Sequence, residues 1–224
     1  MVVRTRTALA LGAALVLLTG CSDGGGGDAK SSASPTGPEA APAPSRTTFS
    51  SYADFPGKDF VTTEPGMDLG VRVKPVDTAW TPELAGKPAD GGKHFFAVYV
   101  AVTGELPDRG VEKAKLDYLR LKYKSTEKPC EFGESGFCFR EAFPSSSLVD
   151  LDDAQESGGW RTHSWQTGLL GRDIERGETK MGVVGFSLPD TEKAASFELC
   201  GPTKEAQVDT DKFACVPVKT PTRT

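Results

Sequence analysis

The chain has 224 residues, with 31 acidic and 26 basic side chains and a net charge of −5. This acidic balance disfavours nucleic acid and anionic lipid as partners, because both repel a negatively charged surface. No apolar run reaches the roughly 20 residues that a membrane-spanning helix needs.

Residues 1–20 predict the signal peptide of an exported protein. A short positive region without acids precedes an apolar run over 8–18, which is the length of the apolar region of a secretory signal. The run Leu18-Thr19-Gly20-Cys21 resembles the bacterial lipoprotein box. The resemblance implies that the Cys21 sulfur takes a diacylglyceryl group, that residues 1–20 are cleaved off, and that acyl chains such as palmitate hold the protein on the outer face of the cytoplasmic membrane. The alternative is an ordinary secreted protein with a stray cysteine.

Residues 21–47 predict a disordered linker that follows the lipidated cysteine. Four consecutive glycines, several serines and four prolines occupy this stretch, and almost no side chain in it is apolar and larger than alanine. Such a composition cannot bury enough surface to offset its ordering entropy. We expect one folded domain over 48–220 and a short tail over 221–224.

The folded part has mostly strand-like patterns. They lie at 69–76, 94–102, 116–123, 137–139, 181–188, 196–200 and 213–218. The run over 94–102 is apolar on both faces, which favours a central strand covered on each side. Turn-rich stretches separate the strands at 88–92, 107–110 and 175–178. Short helical segments are expected at 111–117 and 147–156. The pattern predicts an all-β protein with an antiparallel, immunoglobulin-like β-sandwich.

The order of these segments resembles a known family. The stretches that carry the resemblance are GKHFFAVYVAVTGEL, LDYLRLKY, GLLGRDIERGETKMGVVGFSLPD and ASFEL, within residues 67–200. They look like the immunoglobulin-like domain of unknown function in many Gram-positive lipoproteins, akin to the immunoprotective extracellular protein superfamily. Where that family has Asn-x-Gly or Asn-x-Ser after the long strand, this chain has Thr103-Gly104-Glu105. The resemblance implies a fold and a cell-surface location, and it carries over no functional residues.

Four cysteines remain beyond Cys21, and an even number in an exported domain predicts two disulfides. We favour Cys130–Cys138 and Cys200–Cys215 among the three pairings, because each pair is close in sequence. Zinc binding is disfavoured, since Cys-x-x-Cys spacing and nearby histidines are lacking.

The segment 160–165 is the best candidate for a binding surface. Trp160, Arg161, His163 and Trp165 lie together there, and exposed Trp and Arg side chains favour binding hot spots. The alternative is that both tryptophans are ordinary core anchors. His94, at the start of a strand, is interpreted as a strand-edge residue.

Catalytic and metal-binding patterns are not recognised. Gly-x-Ser-x-Gly is missing, so acyl transfer through Ser164 or Ser187 is disfavoured. The acidic run 150–156 does not match the calcium-loop pattern, because Ala154, Gln155 and Arg161 occupy positions that require ligands or glycine. We expect no metal and no cofactor.

These observations favour a non-catalytic lipoprotein, tethered to the membrane, whose domain binds a protein or an envelope component. The alternative is an extracytoplasmic enzyme or enzyme inhibitor with an unrecognised site around 144–168. A transport-type solute receptor is disfavoured, because such receptors usually need two α/β lobes and a longer chain.

Overall fold

The structure is a computed structural model that describes residues 48–223, apart from 128–129, 131–135, 157 and 169. The predicted signal peptide, Cys21 and the linker lie outside the described residues. Residues 46–224 form one compact unit.

The described residues contain thirteen strands and one α-helix, which confirms the predicted all-β class. The strands are β1 (Phe60–Thr62), β2 (Val71–Thr81), β3 (Glu83–Leu84), β4 (Lys87–Pro88), β5 (Lys93–Gly104), β6 (Val111–Ala114), β7 (Arg120–Tyr123), β8 (Cys138–Glu141), β9 (Val149–Asp150), β10 (Arg172–Ile174), β11 (Lys180–Pro189), β12 (Phe197–Gly201) and β13 (Ala214–Val218). The helix α1 is Leu151–Glu156, and two short 3-10 helices lie at Tyr52–Asp54 and Thr210–Lys212.

Two antiparallel sheets form a sandwich. The larger sheet has the order β1-β2-β5-β11-β9, and the smaller one has the order β13-β12-β7-β8. Two small pairs, β6 with β10 and β3 with β4, complete the set. Every pairing is antiparallel. The predicted antiparallel sandwich is therefore confirmed.

Strand β5 is central and is buried on both faces, as its sequence predicts. Its even-numbered residues from Phe96 to Val102 enter the core between the two sheets, where Phe96 meets Phe197 of β12 with ring centroids 4.6 Å apart. Its odd-numbered residues from Phe95 to Ala101 belong to a second apolar cluster. Because side chains alternate along a strand, these two clusters lie on opposite faces of the larger sheet.

The second cluster, here called the outer cluster, covers the far face of the larger sheet. Besides β5 it includes Met181 and Val183 of β11, Leu151 and Ala154 of α1, and Trp165. The N-terminal segment joins it through Phe55. The unit 46–224 thus contains two apolar clusters and both disulfides, so it has what an independently folding domain needs.

The structure pairs Cys130 with Cys138 and Cys200 with Cys215, the pairing that the sequence favours. Cys200 and Cys215 are direct cross-strand partners in β12 and β13, with Cα atoms 4.1 Å apart. The second bridge, with Cα atoms 5.3 Å apart, joins β8 to the loop before it.

One predicted element is wrong. Residues 111–117 were expected to form a helical turn, but Val111–Ala114 is strand β6, paired with β10. Its burial has a helix-like spacing, because only Val111 and Ala114 are buried. The positive φ of 53° at Lys113 and the register shift between β6 and β10 bring both ends of β6 to the core side. The helix expected over 147–156 is present only as α1, after the short strand β9.

Candidate functional site

A bulge in β2 sets the position of Asp77. The register between β2 and β5 shifts between Pro75 and Asp77. Pro75 lacks a backbone N–H, and the residues that follow therefore leave the regular ladder easily. The Asp77 carboxylate lies at the side of the sheet, facing the loop over 158–162 rather than a neighbouring strand.

Two side chains from that loop bind Asp77. Arg161 donates from Nε to Oδ2 at 2.5 Å and from Nη2 to Oδ1 at 2.7 Å, which is the paired geometry that a guanidinium and a carboxylate favour. The indole N–H of Trp160 donates to Oδ2 at 3.1 Å, and the backbone N–H of Thr78 donates to Oδ1 at 2.8 Å. Four hydrogen bonds thus converge on one carboxylate.

These bonds keep the Asp77 carboxylate ionised. Burial alone would raise the pKa of Asp77, but the hydrogen bonds from Arg161, Trp160 and Thr78 outweigh it and hold the pKa below its ordinary value. The hydrogen bond to Asp77 in turn raises the pKa of Arg161. Burial also raises the pKa of the nearby Tyr99 hydroxyl, which stays protonated. Asp77 and Arg161 are therefore both charged at physiological pH and neutralise each other.

The two tryptophans of the segment have different environments. Trp165 is 6% exposed and lies in the outer cluster, with its ring centroid 6.3 Å from that of Tyr99. Its indole N–H donates to the Trp160 carbonyl at 2.8 Å. Trp160 is half-buried and packs against Phe49 and Phe55, with ring centroids 5.8 and 6.1 Å away. Trp165 is thus a core anchor, while Trp160 has part of its surface free.

The other two predicted residues of this segment lie at the surface. The side chain of Arg161 is 58% exposed although it is bound to Asp77. His163 is half-buried, with its ring edge-on to Trp165 at a centroid distance of 4.6 Å. The binding-surface assignment for these residues stays a prediction, and the structure brings Trp160 and Arg161 together at one opening.

That opening is a cleft of about 290 Å³ beside the start of the described chain. Its lining consists of Thr48, Asp77, Gln155, Gly158, Gly159, Trp160 and Arg161. Gly158 and Gly159 have φ values of 99° and 105°, a region that glycine adopts far more readily than other residues. Gln155 fixes the opposite wall, because its side chain exchanges two hydrogen bonds of 2.9 Å with the backbone of Phe49. The cleft offers an indole, a guanidinium and bare backbone, which suits binding.

The histidines take part in packing and pairing. His94 stacks on Trp80, with ring centroids 5.7 Å apart, and its Nδ1 lies 2.5 Å from Asp190 Oδ1. Within the described ranges, no hydrogen bond joins either histidine to a serine. Ser164 is exposed, and Ser187 is half-buried in β11.

The acidic run 150–156 is spread over β9 and α1. Asp150 pairs with Lys180 of β11, and Asp152 and Asp153 are exposed. Among the residues that the structure describes, no group of three or more His, Cys, Asp or Glu side chains is arranged to hold a metal ion. The same residues include no helix of the length and apolarity needed to cross a bilayer.

Sequence reasoning missed Asp77, the residue that organises the site. Asp77 is 83 residues from Trp160 and 84 from Arg161, so no local pattern connects them. One signal was available: Pro75-Val76-Asp77 interrupts the alternation of an otherwise regular strand, which is typical of a bulge at a sheet edge.

No family model, curated protein or solved structure matches this chain.

Proposed function

We propose that this protein is a lipoprotein, anchored through Cys21 on the outer face of a bacterial cytoplasmic membrane, whose β-sandwich domain binds an extracytoplasmic protein or an envelope component. The binding surface is the cleft lined by Trp160 and Arg161. The domain acts by binding and carries out no reaction of its own.

The cleft is the observation that carries the binding part of the proposal. A half-exposed indole and a guanidinium border it, and both groups are enriched among the residues that dominate binding energies. Asp77 holds both side chains in place before a partner arrives, which reduces the entropy lost on binding. The anchoring part rests on Leu18-Thr19-Gly20-Cys21 and the apolar run before it.

Anchoring is tested by replacing Cys21 with Ser in the full chain. We expect the wild-type protein in the membrane fraction and the Cys21→Ser protein outside it, because two acyl chains bind a bilayer stably and the acidic domain does not. Mass spectrometry of the mature wild-type protein should find a diacylglyceryl group on residue 21. An unmodified Cys21, or membrane retention of the variant, contradicts the anchor.

Binding is tested separately with the unit 46–224 as bait in envelope extracts. Thr48→Trp fills the cleft from an exposed position without touching Asp77, and Lys58→Trp places the same side chain at another exposed position. We expect a partner that the wild type and Lys58→Trp capture and that Thr48→Trp does not. A partner retained by all three proteins, or none above background, speaks against the cleft.

A further inference from the structure

The outer side of β2 is only partly covered by another strand. Strand β1 pairs only with Val71–Val73 of β2. From residue 74 to Thr81, β2 has a described strand partner, β5, on one side only. An uncovered edge of this kind presents unpaired N–H and C=O groups to which another strand can add.

Several features of β2 oppose such addition. Pro75 removes one backbone donor, and the bulge after it breaks the regular spacing of the ladder. The outward backbone groups of Thr78 are both occupied: its N–H donates to Asp77 Oδ1 at 2.8 Å, and its C=O accepts from Arg161 Nη2 at 2.9 Å. A side-chain pair thus makes the two hydrogen bonds that a neighbouring strand would make.

We propose that Asp77 and Arg161 form a clamp that closes the outer edge of β2 and keeps the domain from pairing with a second copy of itself. This role goes beyond the proposed binding function and does not depend on it. The clamp is held shut by the ion pair between the two side chains and by Trp160, which donates to the same carboxylate.

A second copy fits this edge because antiparallel strand pairing is compatible with two-fold symmetry. With Thr78 on the two-fold axis, the N–H and C=O of one Thr78 meet the C=O and N–H of the other. Asp77 of one copy would then lie opposite Ala79 of the other, so no two like charges face each other directly. Trp80 lies two residues along and directs its backbone groups to the same side.

The test measures self-association of the unit 46–224 by sedimentation across a range of concentrations. We expect the wild type to stay monomeric, and Arg161→Ala and Asp77→Ala to form dimers with a dissociation constant lower by about tenfold or more. Arg161→Ala frees the Thr78 C=O and Asp77→Ala frees the Thr78 N–H, and either change removes the ion pair that holds the remaining side chain over the edge. Arg176→Ala, which removes an exposed arginine from a turn, is the matched control and should remain monomeric.

Hydrogen exchange identifies the edge that is used. Dimers formed through β2 should slow exchange at the Thr78 and Trp80 amides and leave β8 and β13, the two edge strands of the smaller sheet, unchanged. Variants as monomeric as the wild type overturn the proposal, as do dimers protected at β8 or β13 or an Arg176→Ala protein that dimerises equally. Arg161→Gln provides a milder second variant, and circular dichroism checks that each protein is folded.

Discussion

Glu192 is a buried carboxylate whose hydrogen bonds come from neutral donors. It is 2% exposed and accepts from the hydroxyl of Ser125 at 2.6 Å, from the backbone N–H and the hydroxyl of Thr126 at 3.2 and 3.1 Å, and from the backbone N–H of Ala194 at 2.9 Å. Burial alone would raise the pKa of Glu192, but these bonds outweigh it and lower the pKa. The carboxylate fastens the loop after β7 to the turn after β11.

Replacing Glu192 with Gln should destabilise the domain by about 1–3 kcal/mol at neutral pH, because the amide nitrogen cannot accept the bonds that the carboxylate oxygen accepts. A lowered folded-state pKa gives stability that is complete above the ordinary value of 4.5 and is lost as pH falls through the folded value. The difference between the two proteins should therefore shrink below about pH 4.5. Urea unfolding at several pH values measures it.

Glu112→Gln is the control, since Glu112 is exposed in β6. It should change the free energy of unfolding by less than about 0.5 kcal/mol. A Glu192→Gln protein as stable as the wild type at neutral pH, or a difference that grows in acid, would show that Glu192 does not fasten the loop.

Residue type alone could not separate Trp160 from Trp165. Both are tryptophans in one aromatic-rich segment, and the sequence predicts either a binding surface or core anchors for the pair. Contacts with Tyr99 of β5 bury Trp165, whereas Asp77 binds the Trp160 indole at the sheet edge. These partners lie more than 60 residues away in sequence, so the difference depends on the tertiary fold.

At the scale of elements, β11 shows which sequence signals are reliable. Its predicted bounds were 181–188, and the strand is Lys180–Pro189. Gly182 and Gly185 within this apolar strand indicate either close backbone approach or a bulge. The register with β5 is continuous, so no bulge is present there, whereas a Cβ on Gly185 would lie 2.7 Å from Leu84 Cδ2 and 3.1 Å from Pro144 Cδ. Close approach is therefore the reason for Gly185.

Gly185→Ala should destabilise the domain by about 1–3 kcal/mol, because the added methyl group meets a proline ring and a backbone oxygen that cannot move aside easily. Gly91→Ala is the matched control, since a Cβ there meets nothing within 4 Å and its φ is not positive. Thermal unfolding compares the two. Equal melting temperatures for both variants would contradict the steric argument.

The long strands were predictable because they carry long apolar or alternating runs, whereas the short strands were not predictable. Strand β5 has eleven consecutive residues that are buried or half-buried, and its sequence alone indicates a central strand. Strands β3, β4 and β9 have two residues each, which is too few for an alternating pattern to be recognised in the sequence. Strands β3 and β4 pair with each other across a tight turn, whereas β9 pairs with a strand that is distant in sequence, with Val149 opposite Met181.

At the scale of the whole molecule, the C-terminal segment after β13 joins the two sheets. The Thr78 hydroxyl in the larger sheet donates to the Lys219 carbonyl, which follows β13 of the smaller sheet, at 2.7 Å. Further along, the Arg223 guanidinium lies 4.1 Å from the centre of the Trp80 ring and donates to the Asp190 carbonyl at 2.7 Å. Residues 219–223 therefore act as a strap across the side of the sandwich.

Ending the chain after Val218 should lower its stability by about 2 kcal/mol or more. The buried Thr78 hydroxyl loses its acceptor, which costs about 1–3 kcal/mol, and the contact between Arg223 and Trp80 adds about 0.5–1 kcal/mol. Lys219→Ala tests whether the backbone or the side chain of Lys219 matters. It keeps the backbone carbonyl that Thr78 uses, so it should leave stability nearly unchanged. Urea unfolding of both proteins against the wild type makes the comparison. If the shortened chain unfolds at the wild-type midpoint, or if Lys219→Ala costs as much as the truncation, the strap does not hold the sheets together through these contacts.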